Sequence, residues 1–157
     1  MNRKSDAEAI QTTDETEYIL TPPYYHSEWH LIPFVKVKLR ETDIPFSNLV
    51  ILALKEPKDI LGNIPPEPSW YIGLTREFKK QVDSIDRKLQ GRILKALAEI
   101  TDAPLTVRGD TVKPLTKGER FERCWRYRVG DYRIIYYPDP SERKITFVAF
   151  ESRADAY

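Results

Sequence analysis

The chain has 157 residues, 41% of them hydrophobic and 31% charged, and its 25 Lys and Arg nearly balance 24 Asp and Glu. That length suits one core of ordinary size with a sizeable appendage rather than two full domains. A single cysteine, Cys124, excludes an intramolecular disulfide framework and a cysteine-built zinc site; with no apolar leader and no run of about 18 apolar residues, the composition predicts a soluble, cytoplasmic protein.

The overall balance hides an asymmetry. Residues 1–69 hold 7 basic and 11 acidic side chains, net −4, whereas residues 70–157 hold 18 and 13, net +5. Positive charge confined to one half predicts an anionic partner for that half.

In chain order, residues 1–17 are polar, acidic and aperiodic, which predicts a disordered tail. Residues 18–33 carry Tyr18, Tyr24, Tyr25 and Trp29 and are broken by Pro22, Pro23 and Pro33, so an extended segment lying against something else is expected. Residues 34–40 alternate, with Phe34, Lys36, Lys38 and Arg40 opposite Val35, Val37 and Leu39, and residues 48–54 are continuously apolar; both are predicted as strands. Pro57 and the proline-rich stretch 64–69 read as a stiff linker and a domain boundary, leaving 18–69 as an acidic, strand-prone extension.

Beyond the linker, residues 70–74 suit a short strand. Thr75 is placed to cap a helix that turns Phe78 and Val82 inward. A second helix is expected over 86–101, with Leu89, Ile93, Leu97 and Ile100 on one stripe, Leu94 and Ala96 widening it, and Pro104 beyond its end. Strands are expected at 124–129, 132–137 and 144–150. This order predicts an α+β fold for 70–157: an antiparallel sheet of about four strands with two helices on one side.

Residues 124–137 are the most informative stretch. Gly130-Asp131 between two β-rich runs predicts a two-residue hairpin turn. Val129 then pairs with Tyr132, Arg128 with Arg133, Tyr127 with Ile134 and Arg126 with Ile135. Trp125, Tyr127, Val129, Tyr132, Ile134 and Tyr136 form a core face, and Arg126, Arg128, Arg133, Ile135 and Tyr137 form the other. Three guanidiniums on one sheet face either sit in solvent, with counter-charges from Glu122 or Asp139, or face an anion such as phosphate.

Other features are weaker. His26 and His30 flank Glu28, but upstream prolines and the lack of a third ligand favour packing over metal binding. Cys124 has no histidine partner after His30 and is not expected to act as a nucleophile. Lys79 and Lys80 on the first helix are ordinarily just solvated, and RNA contact is the alternative.

The segment Lys113-Pro114-Leu115, the hairpin 125–136 and the ending Ser152-Arg153-Ala154-Asp155-Ala156-Tyr157 resemble the RelE/ParE superfamily of toxins from type II toxin-antitoxin systems, over residues 70–157. RelE-like ribonucleases carry basic residues on this hairpin plus an arginine and a tyrosine near the C-terminus, and Arg126, Arg128, Arg133, Arg153 and Tyr157 match those places. The resemblance implies ribosome-dependent cleavage of mRNA without metal or cofactor: the 2′-hydroxyl attacks the adjacent phosphate, leaving a cyclic phosphate and a 5′-hydroxyl. It assigns Arg133 and Arg153 to the scissile phosphate, Arg126 and Arg128 to phosphate and ribosomal RNA, and Tyr157 to base stacking or proton transfer. Lys79, Lys80, Lys113 and Lys117 would add RNA contacts. The implied partners are an antitoxin, the ribosome and mRNA, and no membrane.

The type member has lysines where this chain has Arg126 and Arg128, and arginine is a poor base, so any base would be Tyr157, a carboxylate such as Glu151, or a ribosomal group. The alternatives are a ParE-like, non-enzymatic inhibitor of DNA gyrase and a detoxified member held inactive by its extension. Glu17-Tyr18-Ile19-Leu20-Thr21 faintly resembles the tail of a Phd/YefM-type antitoxin. With the charge asymmetry, this suggests that the extension wraps the basic face or adds a strand to the sheet. Otherwise it is a dispensable extension or an independent small β unit.

Overall fold

The computed structural model describes residues 16–21, 31–55, 70–116, 121 and 123–152. In chain order these form β1 (Tyr18–Thr21), α1 (Leu31–Glu41), α2 (Phe46–Lys55), β2 (Trp70–Leu74), α3 (Arg76–Asp83), α4 (Arg87–Asp102), β3 (Val112–Pro114), β4 (Trp125–Val129), β5 (Tyr132–Asp139) and β6 (Lys144–Ser152). The strands make one sheet in the order β1-β2-β6-β5-β4-β3. The sheet is antiparallel except between β2 and β6, which run parallel and are joined through the helices and the central hairpin. The α+β class is as expected. The strand count exceeds about four because β1 and β3 extend the two edges.

Both helices of the basic half start on side-chain caps. Thr75 Oγ1 accepts from the Phe78 N–H at 3.1 Å and donates to the Val148 carbonyl at 2.8 Å, which fastens the start of α3 to β6. Asp86 caps α4 by accepting from the Leu89 N–H at 2.8 Å. The stripe read from α4 is the one that packs: Ile93, Leu94, Leu97 and Ile100 are buried and Leu89 lies against them.

The two strands expected in the extension are helices. In residues 46–55 the buried apolar positions are Phe46, Leu49, Val50, Ala53 and Leu54, a three-four repeat, while Leu52 is exposed. A continuous apolar run does not distinguish a buried strand from one face of a helix, and here the helix wins. Across residues 34–40, Val35 is fully buried and Leu39 packs beside it, but Val37 between them is exposed, so the apparent alternation is one helical turn. Pro33 falls in the first turn of α1, where a helix makes no use of the missing N–H.

These helices share the core of the basic half. Val35, Phe46, Leu49, Val50, Ala53 and Leu54 belong to the same apolar cluster as Ile72, Phe78, Ile93, Leu97 and Phe147. Polar clamps hold the seam. Asp83 accepts from the Ser47 N–H at 2.8 Å and from its hydroxyl at 2.6 Å, and Arg87 reaches the carbonyls of Thr42 and Ile44. On the other side, β1 adds antiparallel to β2, with Tyr18 opposite Gly73. A Cβ on Gly73 would lie 2.7 Å from the Tyr18 ring, so glycine is what admits the close approach. The Tyr18 hydroxyl bonds Thr146 Oγ1 at 2.9 Å, and the Lys144 ammonium lies 4.9 Å from the ring centroid. The extension therefore does add a strand to the sheet.

Candidate functional site

The β4–β5 hairpin has the register expected from its turn, with Trp125 opposite Tyr136 in addition. Gly130 takes φ +60°, which supplies the reversal. Tyr127, Val129, Ile134 and Tyr136 are buried in the main core, flanked by Trp125 and Tyr132. The three arginines share the opposite face.

That face departs from the solvated expectation, and the anions it faces are carboxylates of this chain. It is not a solvated layer: Arg126 and Arg133 are only 7% and 6% exposed, and they sit among a second apolar cluster of Leu115, Cys124, Ile135, Val148 and Ala149. The counter-charges also differ. Asp139 instead accepts from the turn residues Ser141 and Glu142, and Glu122 lies outside the described residues. Asp110 and Glu151 take the role. Arg133 and Glu151 are cross-strand partners whose charged groups approach to 3.9 Å, with side chains 7% and 5% exposed. Two charges removed from water are tolerated only when matched in this way.

Asp110 is the focus of the rest. Arg126 donates to its carbonyl at 2.8 Å and to Oδ1 at 3.0 Å, Arg128 donates to Oδ2 at 2.6 Å, and the Lys113 ammonium lies 3.4 Å from Oδ1. Lys113 is brought there because β3 pairs it directly with Arg126. The carboxylate is carried on a tight turn in which Gly109 takes φ +57° and Arg108 bridges to Val112; the Arg128 N–H bonds the Thr111 carbonyl at 2.8 Å. Asp110 itself remains 62% exposed. Arg128 foremost, then Arg126 and Lys113, hold its carboxyl below the ordinary aspartate value. Sequence reasoning missed Asp110, although Gly109-Asp110 repeats the pair that marked the hairpin turn.

A second polar cluster lies where α4 meets β4. Tyr127 donates to Glu99 Oε1 at 2.6 Å, and Arg108 pairs with the same oxygen. Burial opposes ionisation of Glu99, but the bonds from Tyr127 and Arg108 outweigh it and hold its carboxyl below the usual glutamate value. Burial first, then the bond to Glu99, push the Tyr127 phenol up to about 12, so it stays protonated at neutral pH and is no proton acceptor there.

The structure thus gathers Arg126, Arg128 and Lys113 around one carboxylate and sets Arg133 on the same sheet face. Lys79 and Lys80 are on α3, in the helix layer on the other side of the sheet, and do not join them. Arg153, Tyr157 and Lys117 lie outside the described residues, as do His26 and His30. Cys124 is buried. Among the described residues no three His, Cys, Asp or Glu side chains are grouped to hold a metal, and no helix is long and apolar enough to cross a membrane. Chemically, the cluster can bind and neutralise an anion with several oxygens; its arginines cannot serve as a base.

A family model described as the ParE toxin of the type II toxin-antitoxin system, parDE, matches residues 72–157, from the middle of β2 to the last residue. The chain belongs to the ParE toxin family. The matched family is one of toxins from type II toxin-antitoxin systems, and residues 16–55 lie upstream of the matched segment. Among solved structures, the toxin-antitoxin complex RelBE2 from Mycobacterium tuberculosis is similar at TM-score 0.43 and 17% identity, covering 52% of this chain and 95% of that one. The archaeal RelE-RelB complex from Pyrococcus horikoshii OT3 is similar at TM-score 0.42 and 22% identity, covering 53% and 93%. No match is found among curated proteins.

Proposed function

We propose that this ParE-family toxin is a ribosome-dependent endoribonuclease that cuts mRNA in the cytoplasm and is neutralised by a separate antitoxin protein. The observation that carries the reading is the convergence of Arg126, Arg128 and Lys113 on one exposed carboxylate, with Arg133 on the same face. Cleavage by a neighbouring 2′-hydroxyl needs the attacking oxygen held in line and the charge growing on the phosphorus oxygens neutralised, and fixed guanidiniums meet the second need. In this reading Arg126 and Arg128 take the flanking phosphates, Arg133 and Arg153 the scissile one, and Tyr157 the base or a proton. Lys113 extends the contact on β3, Lys117 is a further RNA contact, and Lys79 and Lys80 are left to the ribosome. Of the internal bases, Glu151 stands beside Arg133 and lines a groove with Gln81, Ser84, Ile85, Tyr132, Phe150 and Ser152.

A second reading is a non-enzymatic binder that inhibits DNA gyrase. It is favoured by the burial of Arg126 and Arg133, which a cutting site would have to expose. Mapping mRNA 5′ ends during induced expression separates the two. New ends within translated codons, lost in Arg128→Gln and in an Arg133→Ala variant verified to be folded, are the expected result. Growth arrest with intact mRNA and induced DNA damage would move the assignment to gyrase, and no arrest would point to a detoxified member.

A further inference from the structure

We propose that the Asp110 carboxylate stands in for an RNA phosphate, occupying the Arg126–Arg128–Lys113 site until a phosphodiester displaces it; the inference rests on the RNA-directed reading above. The geometry is that of an anion receptor already filled. Each Asp110 oxygen takes a guanidinium, Arg126 on Oδ1 and Arg128 on Oδ2, and the Lys113 ammonium approaches Oδ1. A phosphodiester offers the same arrangement, two anionic oxygens on one atom.

Three further features make the carboxylate an occupant that can leave. Asp110 is the most exposed member of the cluster, its side chain 62% open to solvent, whereas the Arg126 side chain is 8% open and makes a second bond to the Asp110 carbonyl. Arg126 is therefore the fixed part of the receptor, and Arg128 and Lys113 are its more open parts. The charges do not balance: three cations surround one carboxylate, leaving an excess that attracts a further anion. Finally, Asp110 is carried at the tip of a turn whose backbone is bonded at Arg108, Thr111 and Val112, so rotation about its own side-chain torsions is enough to lift the carboxylate off the cations while the turn stays in place. An ion pair exposed to this degree is weak, and a chain of phosphates arriving with counterion release can outcompete it.

The consequence is that Asp110 sets the threshold for RNA binding. It screens out weak or isolated anions and yields only to a ligand that adds contacts elsewhere on the face. The residue is a competitor at the site rather than a catalytic group.

The test measures binding of a labelled single-stranded oligouridylate to the full chain and to Asp110→Asn, Arg128→Gln and the double variant over a series of KCl concentrations, with thermal melts alongside. Asparagine keeps the carbonyl contact and the size of the side chain but removes the charge. The expected result is RNA binding roughly three- to tenfold tighter in Asp110→Asn even if its melting temperature falls, with a salt slope steeper by about one ion. Arg128→Gln should bind more weakly, and the double variant should lose most of the gain. Unchanged or weaker binding by Asp110→Asn would overturn the proposal and leave Asp110 as a loop anchor. A gain seen with inorganic phosphate but not with the oligonucleotide would overturn the RNA assignment. Because binding is read without the ribosome, failure to cut mRNA and failure of this competition are separate outcomes.

Discussion

The Tyr127 hydroxyl donates to Glu99 at 2.6 Å, joining β4 to α4 through a carboxylate that Arg108 also holds. Because Glu99 has its carboxyl depressed in the folded state, its contribution to stability is complete above the unfolded value near 4.5 and is lost as pH falls through the lower folded value. The wild-type protein should therefore lose melting temperature below about pH 4.5, and Glu99→Gln should show a shallower acid limb. Parallel acid limbs in the two proteins would remove Glu99 from the account. At neutral pH, Tyr127→Phe should cost about 1–2 kcal/mol, since it removes a bond to a charged acceptor.

Gly73 is the contact point for β1. Gly73→Val would drive side-chain atoms into the Tyr18 ring, already 2.7 Å from the first added carbon. A loss of about 1–3 kcal/mol is expected, with amide exchange rising at Tyr18–Thr21 before it rises in β4 or β5. Uniform exchange across the sheet would show that β1 is not separately held.

The extension should behave as part of the core. Phe46→Ala, at a position 1% exposed, is expected to destabilise the whole protein by about 3–5 kcal/mol in a single cooperative denaturant transition. Asp83→Ala, which unties the start of α2 from α3, should cost about 1 kcal/mol. Two separate transitions, with Phe46→Ala moving only one, would argue for an independent unit.

Arg133 and Glu151 should be strongly coupled. Replacing either alone takes an opposite charge away from a buried one and is expected to cost about 3–5 kcal/mol, while Arg133→Met with Glu151→Leu should recover much of it. Strictly additive losses in a double-mutant cycle would show that the two charges do not sense each other. The size of the single-variant effect is why loss of toxicity in Arg133→Ala is informative only beside a melt.

The hairpin was legible in the sequence because two local signals agree there, the Gly130-Asp131 turn and the alternation of Trp125–Val129 that Tyr132-Arg133-Ile134 continues beyond it, and a period-two pattern tolerates no slip. The helices α3 and α4 were legible for similar reasons, with caps and stripes coinciding. The helices of the extension were not. In α1 the evidence against a strand is a single exposed residue, Val37, and its exposure is a tertiary fact. Strand β3 has three residues, one buried and two exposed, too few to show a period. The grouping of the arginines on one face was legible, and the burial of Arg126 and Arg133 was not. Alternation says which residues share a face, whereas the presence of Asp110 and Glu151 to neutralise it depends on pairings 16 and 18 positions apart for Asp110 and across strands for Glu151.

The sheet edges also bear on how the protein behaves at high concentration. An unpaired strand invites another chain to pair with it, and growth by repeated pairing is a common route to aggregation. Here β1 occupies the outer side of β2, and the opposite boundary is β3, three residues long, with Lys113 and Pro114 as two of them. Proline offers no N–H and lysine resists burial, so β3 is a poor template for stacking. Loosening β1 would uncover four residues of β2 backbone, making self-association the first visible symptom of damage at Gly73.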